Sequence, residues 1–351
     1  MNNLTHGTTR RSTRRSTHRS IQRSALGIAV AALCGSIAMM HSVDASAKTF
    51  AVVVKTVNDV FSAPIKEGCE AAAKQLGDTC YYVGPSVVDE GQQIQVLNDV
   101  ISRGVDGIAV SATNPKSMAR TLERLKDRGI PVVTFDSDLL TEDQKLRSTF
   151  IGTDNYQFGV ELAKKVVEMK PHGGTVCIQS GTAGSLNLDA RVQGIRDTLG
   201  GGSQSKPISR LSGQNGWTEP AGCPVYNNDN ISTAAQQLND VLTANPKLDA
   251  FVAVGGWAQY APAAYRAAVM RVKSRVDSKD LVISMGDAFP PQMPLLKDGL
   301  SDYQVGQNPY QMGYQAIKSL DALSKGQQVP PSIVTGFVKC TPAMADSCGK
   351  Q

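Results

Sequence analysis

The chain has little histidine and no closely paired cysteines. Only His172 of its four histidines lies beyond residue 47, and none of its cysteines forms a CxxC spacing. Zinc sites draw on closely spaced cysteines and histidines. A serine hydrolase needs a GxSxG elbow and a nearby histidine, and the sequence has no such elbow. We therefore expect no metal, no cofactor and no enzymatic activity.

The chain also lacks an apolar run long enough to span a membrane. The run Ala25–Met40 has 16 residues, whereas a membrane span needs roughly 20. Six arginines precede the run, and small residues follow it at Ala45-Ser46-Ala47. A basic stretch, a short apolar core and a small-residue exit are typical of a secretory signal peptide. We predict a signal peptide over residues 1–47, cleaved near Ala47; a retained anchor and a start codon downstream of Met1 stay open.

The chain after residue 47 has no excess of positive charge. The first 47 residues hold six of the 36 basic residues and one of the 31 acidic residues, which leaves 30 of each. A nucleic-acid binder needs a basic face, so we expect no nucleic-acid partner. The remaining 304 of the 351 residues exceed the size at which single cores usually stop growing, so two lobes are expected.

Six cysteines follow residue 47, an even number in a chain with an export signal. Such a count is typical of disulfides. Fifteen connectivities are formally possible. Sequence proximity favours Cys69–Cys80 and Cys340–Cys348, which leaves Cys177–Cys223 by elimination.

Strand and helix patterns alternate through two similar halves, which predicts an α/β fold with a mainly parallel sheet in each half. In the first half the predicted strands are Phe50–Val54, Cys80–Val83, Gly107–Val110 and Pro131–Phe135, with helices at Pro64–Leu76, Gly91–Ser102 and Pro115–Asp127. In the second half the predicted helices are Phe158–Glu168, Asp189–Leu199, Ile231–Ala244 and Tyr260–Val272, with strands at Thr175–Gln179, Ile208–Leu211, Ala250–Val254, Leu281–Met285 and Tyr303–Val305.

Polar side chains follow the predicted strands, where ligands of open α/β sheets bind. Carboxylates, amides and guanidinium groups can each hydrogen-bond two adjacent hydroxyls of a polyol. Aromatic side chains can pack on the C–H face of its ring. The candidate ligand-binding residues are Lys55, Asp59, Asp136, Asp138, Arg191, Asp287 and Gln307, with Phe61 and Trp257 as the aromatic wall. A single such residue could equally be a helix cap or half of an ion pair.

Several segments resemble the periplasmic ribose-binding protein family, across essentially the whole chain after residue 47. They are KTFAVVVKTVNDVF (48–61), IPVVTFDSD (130–138), FIGTDN (150–155), DARVQGI (189–195), SMGDAF (284–289) and QVGQNPYQMGYQAI (304–317). The resemblance implies the type I periplasmic binding protein fold, with two Rossmann-like lobes joined by a three-strand hinge. It places residues 48–153 and 308–336 in one lobe, and residues 154–307 and 337–351 in the other.

The same resemblance implies roles for individual residues. It implies that Asp136, Arg191, Asp287 and Gln307 bind sugar hydroxyls and that Phe61 packs on the sugar ring. Asp59 stands where the family usually has an asparagine. The family's asparagine after the fifth strand of the second lobe is replaced in the segment 254–257. Lys55 with Asp136-Ser137-Asp138 also resembles the autoinducer-2 and rhamnose binders of the superfamily.

The resemblance implies a monomeric solute-binding protein of the periplasm. It would capture a monosaccharide or related polyol between its lobes and deliver it to the permease of an ABC importer, with a chemoreceptor as a further candidate partner. Autoinducer-2-like and acidic-sugar ligands stay open. An exported carbohydrate-active enzyme, using Asp136, Asp138 and Asp287 as acid and base, is a weaker alternative. A lac-repressor-type regulator would need an N-terminal DNA-binding motif, and an export signal stands there instead.

Overall fold

The computed structural model describes residues 46–125 and 128–349. The predicted signal peptide lies outside the described residues, apart from Ser46 and Ala47. Within the described part of the chain, no helix is both long enough and apolar enough to cross a bilayer.

Strands and helices alternate along the described residues, which confirms the predicted α/β class. The strands are β1 (Thr49–Val53), β2 (Thr79–Val83), β3 (Gly107–Val110), β4 (Val132–Phe135), β5 (Phe150–Gly152), β6 (Gly174–Ser180), β7 (Trp217–Thr218), β8 (Val225–Tyr226), β9 (Ala250–Ala253), β10 (Val282–Gly286), β11 (Tyr303–Gln307), β12 (Ser332–Val334) and β13 (Phe337–Cys340). The helices are α1 (Ser62–Leu76), α2 (Glu90–Arg103), α3 (Pro115–Glu123), α4 (Asn155–Met169), α5 (Leu186–Gly200), α6 (Ile231–Ala244), α7 (Pro262–Met270), α8 (Lys273–Asp277), α9 (Met293–Lys297) and α10 (Pro309–Ser324).

The first sheet has six parallel strands in the order β12-β5-β4-β3-β1-β2. Alternate residues of β1 enter two different cores. Phe50 and Val52 pack with α1 and α10, whereas Ala51 and Val53 pack with α2 and α3. Because helices cover both faces of the sheet, β1 needs apolar side chains at every position, which explains its continuous apolar sequence.

The second sheet has seven strands. Six follow the order β13-β11-β10-β9-β6-β7, and the seventh, β8, pairs with the far end of β6. Its pairings are parallel except for β13, which runs antiparallel to β11. One core, which includes Phe158, Ile178, Phe251 and Ile283, fills the space between this sheet and its helices.

The chain passes between the two sheets at three places. It leaves the first sheet after Gly152 and enters α4 at Asn155, and it leaves the second sheet after Gln307 and enters α10 at Pro309. The third crossing lies between β12 and β13, at residues 335–336. Within the described residues, the sheets are therefore joined only by short segments next to strand ends, and the space between them can hold a site.

Glycines bring two pairs of helices into close contact. A Cβ atom at Gly313 of α10 would lie 2.0 Å from the carbonyl oxygen of Ile65 in α1. A Cβ atom at Gly159 of α4 would lie 2.1 Å from the carbonyl oxygen of Arg191 in α5. Each lobe thus packs one helix pair at a distance that only glycine permits.

The structure contains the three predicted disulfides, so the pairing inferred from sequence proximity and elimination is confirmed. Cys69–Cys80 joins α1 to β2, Cys177–Cys223 joins β6 to the loop before β8, and Cys340–Cys348 joins β13 to the C-terminal segment.

Two predicted elements are wrong. Residues 208–211 form no strand; Leu211 is buried as the anchor of a loop, and the short strand beside the start of β6 is Trp217–Thr218. The helix predicted over Tyr260–Val272 is interrupted, because Tyr260 ends a 3-10 turn and Pro262 begins α7. Proline disfavours a helical conformation at the residue before it, and Ala261 is not helical.

Candidate functional site

A cavity lies between the lobes, at the carboxyl ends of strands from both sheets. It is bordered by residues that follow β1, β3 and β4 in one lobe and β10 and β11 in the other. Eight of the nine residues predicted from the sequence line it: Lys55, Asp59, Phe61, Asp136, Arg191, Trp257, Asp287 and Gln307.

Asp138, the ninth predicted residue, does not line the cavity. Its carboxylate lies 2.6 Å from the Arg147 guanidinium and accepts a hydrogen bond of 2.6 Å from the Thr134 hydroxyl. Arg147 also donates to the carbonyl oxygen of Pro331, just before β12. Asp138 therefore ties the end of β4 to the edge of the sheet instead of lining the cavity.

Asp136 connects the two lobes. It follows β4 directly, with a positive φ of 57°, a conformation that aspartate tolerates better than most residues. Its carboxylate accepts hydrogen bonds from the Ser111 hydroxyl at 2.7 Å and from the Asn187 amide at 3.0 Å. Asn187 belongs to α5 of the opposite lobe, so the Asp136 side chain forms hydrogen bonds with both walls of the cavity.

Lys55, which lies just after β1, also contacts both walls of the cavity. Its ammonium lies 3.4 Å from Asp136 and donates to the Ser185 hydroxyl at 3.0 Å and to the Asn187 amide oxygen at 3.2 Å. The lysine charge is therefore balanced by protein groups within the cavity.

Asp287 follows β10 as Asp136 follows β4, with a φ of 64°. It accepts hydrogen bonds from the Gly256 backbone N–H at 2.9 Å, the Tyr260 hydroxyl at 2.7 Å and the Gln307 amide at 3.0 Å. Burial, and then the Asp287 charge, raise the pKa of Tyr260 well above its usual value, so Tyr260 stays a neutral donor.

All three nitrogens of the Arg191 guanidinium form hydrogen bonds with protein groups. The arginine is 2% exposed, and it donates to Asn155 at 2.8 Å, to the carbonyl oxygen of Val254 at 2.9 Å and to the Gln307 amide oxygen at 2.6 Å. The guanidinium also lies 4.3 Å from the centre of the Phe158 ring. Burial lowers the arginine pKa, and the charge of Asp287 opposes this effect. The result is a preorganised donor.

Aromatic rings close the cavity from both lobes. The rings of Phe61 and Phe289 meet edge to face across the cleft, 6.2 Å apart. Trp257 packs against Gly181 and Gly255, where a Cβ atom would lie within 3 Å of its ring. Of these rings, Phe61 and Trp257 line the cavity and give it an apolar surface.

The sequence reasoning missed several cavity residues, among them Ser111, Asn187, Asp229 and Tyr260. Asn187 lies four positions before Arg191, so helical spacing could have indicated it. Ser111 directly follows β3 and could have been found by the strand-end rule. Asp229 lies between predicted elements and Tyr260 stands at the start of a predicted helix, and no sequence signal indicated either residue.

The pKa values of two carboxylates of the cavity, Asp59 and Asp229, are raised above their usual range. Burial is the largest effect on Asp59 and raises its pKa to about 6, although hydrogen bonds from Ser62 lower it; Asp229 and Asp136 add repulsion. Burial also raises the pKa of Asp229, and the charge of Lys55 and hydrogen bonds from Thr182 partly offset this.

Among the described residues, no cluster of His, Cys, Asp or Glu side chains could hold a metal ion.

A family model described as a periplasmic binding protein domain matches residues 50–328. The chain belongs to this family, and the predicted family and fold are confirmed.

Relatives of the chain are named as sugar-binding transport proteins. It is 26% identical over 292 residues to the D-allose-binding periplasmic protein of Escherichia coli K12, covering 81% of this chain and 88% of that one. It is 23% identical over 309 residues to the ribose import binding protein of the same organism, covering 86% and 94%. A solved ABC transporter solute-binding protein from Burkholderia graminis, in complex with D-arabinose, is 28% identical with a TM-score of 0.74, covering 86% of this chain and 97% of that one.

Proposed function

We propose that this protein captures a monosaccharide or a related polyol between its lobes and delivers it to the permease of an ABC importer. The observation that carries the proposal is the convergence of planar hydrogen-bonding groups on one cavity, beside aromatic rings. The groups are the carboxylates of Asp136 and Asp287, the guanidinium of Arg191, and the amides of Asn187 and Gln307. The family membership and the names of the relatives support the same class of ligand.

Ligand binding would act by closing the lobes. The contacts of Lys55 and Asp136 with Ser185 and Asn187 join the two walls, so a ligand that bridges these residues adds contacts that exist only when the lobes are together. A ligand shifts a conformational equilibrium only by its differential affinity for the two states. The closed form would then be the one that the permease recognises, and a chemoreceptor could read the same surface.

The proposal includes the location and the state of the protein. The names of the relatives support a periplasmic location, and residues 1–47 would be removed on export as a signal peptide. The three disulfides fit an oxidising compartment. We propose that the protein works as a monomer, since one chain supplies every group of the cavity named above.

The proposal is tested by thermal unfolding of the purified protein with pentoses, hexoses, deoxysugars, polyols and sugar acids. A ligand at 100 times its dissociation constant should stabilise the protein by about 2.7 kcal/mol. The bound ligand should be recovered unchanged, which separates a binding protein from an exported enzyme. Absence of stabilisation by any sugar or polyol would contradict the proposal.

Asp287→Asn tests the site itself. Asparagine also tolerates the positive φ of this position, but it cannot accept with both oxygens. We expect affinity to fall by about 1.5 to 3 kcal/mol, the usual value of hydrogen bonds to a charged group, with little change for the exposed Asp240→Asn. Equal affinity of Asp287→Asn and the wild-type protein would remove Asp287 from the site.

A further inference from the structure

The cavity wall carries more negative than positive side chains, and this difference indicates the class of ligand. The inference rests on the proposed function. Two cationic and four anionic side chains line the cavity: Lys55 and Arg191 against Asp59, Asp136, Asp229 and Asp287. The cavity is therefore richer in carboxylates than the neutral sugar of the general proposal requires.

Both cations already contact protein groups. The guanidinium of Arg191 is used by Asn155, Val254 and Gln307. The ammonium of Lys55 lies against Asp136 and donates to Ser185 and Asn187. A sugar acid would add a further negative charge to a wall that already holds four carboxylates against two cations, so the structure disfavours acidic sugars.

Asp59 and Asp229 come from opposite lobes and form no direct ion pair in the described part of the chain, although the charge of Lys55 partly offsets that of Asp229. Asp59 precedes α1, and its carboxylate accepts a hydrogen bond of 2.7 Å from the Ser62 backbone N–H. Asp229 follows β8 and accepts from the Thr182 backbone N–H at 3.1 Å and from its hydroxyl at 2.5 Å. In residues 46–125 and 128–349, no Lys, Arg or His nitrogen lies within 4.0 Å of either carboxylate.

The surroundings hold Asp229 at the cavity despite this repulsion. A Cβ atom at Gly181 would lie 2.6 Å from the Asp229 carboxylate, so the absence of a side chain at residue 181 makes room for it. Asp229 itself has a φ of 58°, a conformation with a cost that the hydrogen bonds from Thr182 offset.

We propose that the ligand is a sugar or cyclitol that carries an amino group, and that its ammonium faces the carboxylates of Asp59 and Asp229. An ammonium brings three donors and a positive charge, and its hydrogen bonds to carboxylates are stronger than those of a hydroxyl. Its charge would offset the repulsion between the two carboxylates. The remaining hydroxyls of the ligand would bind the groups already described, such as Asp136, Arg191 and Asp287.

The test compares ligand pairs that differ only by an amine in place of a hydroxyl. Glucosamine and glucose, galactosamine and galactose, mannosamine and mannose, and an aminodeoxyinositol and the corresponding inositol are titrated calorimetrically at pH 7.5. We expect the amine to bind at least tenfold more tightly than the hydroxyl partner in at least one pair. Asp59→Asn and Asp229→Asn should each reduce that ratio severalfold, and the exposed Asp240→Asn, which changes the net charge equally, should leave it unchanged.

The dependence on pH gives a second measurement. The titratable groups that act on Asp59 are Asp136, Asp229, Tyr82 and Tyr260. Since its pKa is about 6, Asp59 is ionised at pH 7.5 and largely protonated at pH 5. The preference for the amine should therefore fall between pH 7.5 and pH 5 in the wild-type protein, and should fall less in Asp59→Asn.

The outcomes separate the two proposals. Neutral sugars that bind as tightly as their amines, or a sugar acid that binds more tightly than both, would overturn the amino-sugar inference and leave the general proposal standing. No binding by any member of the pairs would overturn the amino-sugar inference, and the thermal-unfolding panel with pentoses, deoxysugars and other polyols would then decide the general proposal.

Discussion

Asp59→Asn should stabilise the unliganded protein at neutral pH, because the native carboxylate is held where its charge is unfavourable. Burial raises the pKa of Asp59 from 3.8 to about 6. The folded protein therefore binds this proton more tightly than the unfolded chain does. Stability is unaffected below the unfolded pKa, is lost as the pH rises from about 4 to about 6, and stays lowered above that range.

The size of the effect follows from the shift. Each unit of pKa corresponds to about 1.4 kcal/mol, so the linkage relation gives a loss of about 3 kcal/mol at pH 8 and about 0.5 kcal/mol at pH 4. Asp59 is only partly buried, and solvent screening reduces the observable difference to roughly 1 to 3 kcal/mol at pH 8. Asparagine can keep the hydrogen bond to the Ser62 N–H and is neutral at every pH.

The assay is urea unfolding of both proteins at pH 4 and pH 8, without ligand. We expect the mutant to gain stability relative to the wild type between the two pH values. Asp240→Asn is the control, since Asp240 is exposed on α6 and its effect should stay within about 0.5 kcal/mol at both. A stability difference that is the same at pH 4 and pH 8 would refute the reasoning, because it would show that the Asp59 carboxylate is well solvated.

Two further predictions concern stability alone. Replacing both cysteines of the Cys177–Cys223 disulfide by alanine opens a loop with a sequence separation of 46 and should lower the free energy of unfolding by about 4 kcal/mol on the chain-entropy model. The same change at the Cys340–Cys348 disulfide, with a separation of 8, should lower it by about 2.5 kcal/mol. Equal losses in urea unfolding would contradict this prediction. Gly313→Ala should destabilise by roughly 1 to 3 kcal/mol, because its Cβ would meet the Ile65 carbonyl at 2.0 Å. Gly91→Ala, whose nearest atom would be 3.4 Å away, is the matched control, and a similar loss there would contradict the packing argument.

The central strands of the sheets could be predicted because a strand that is buried on both faces has a continuous apolar sequence. β3 was predicted with its observed bounds, and β1 was displaced by one residue. The edge strand β7 could not be predicted, because two residues carry no periodicity. The interruption before α7 could have been, since Pro262 stands at the start of the helix.

The site was predictable only where a side chain directly follows a strand. Asp136 and Asp287 were found in this way, and the structure brings them to the same cavity. The same rule also selected Asp138, which lies two residues after Asp136 and forms an ion pair with Arg147 instead of lining the cavity. Asp229 reaches the cavity because β8 pairs with the end of β6, a tertiary contact that the local sequence does not encode.

The two lobes use the same local device to position a carboxylate. Asp136 and Asp287 each follow a central strand with positive φ, a conformation that costs of order 1 kcal/mol or more for a residue with a side chain. Each cost is offset by hydrogen bonds to the carboxylate, from Ser111 and Asn187 in one case and from Gly256 and Tyr260 in the other. The groups that would bind a ligand are thus also the groups that hold these turns. Alanine at either position would remove the carboxylate and leave the strained backbone, so asparagine, which tolerates the backbone and changes only the charge, is the substitution that separates binding from folding.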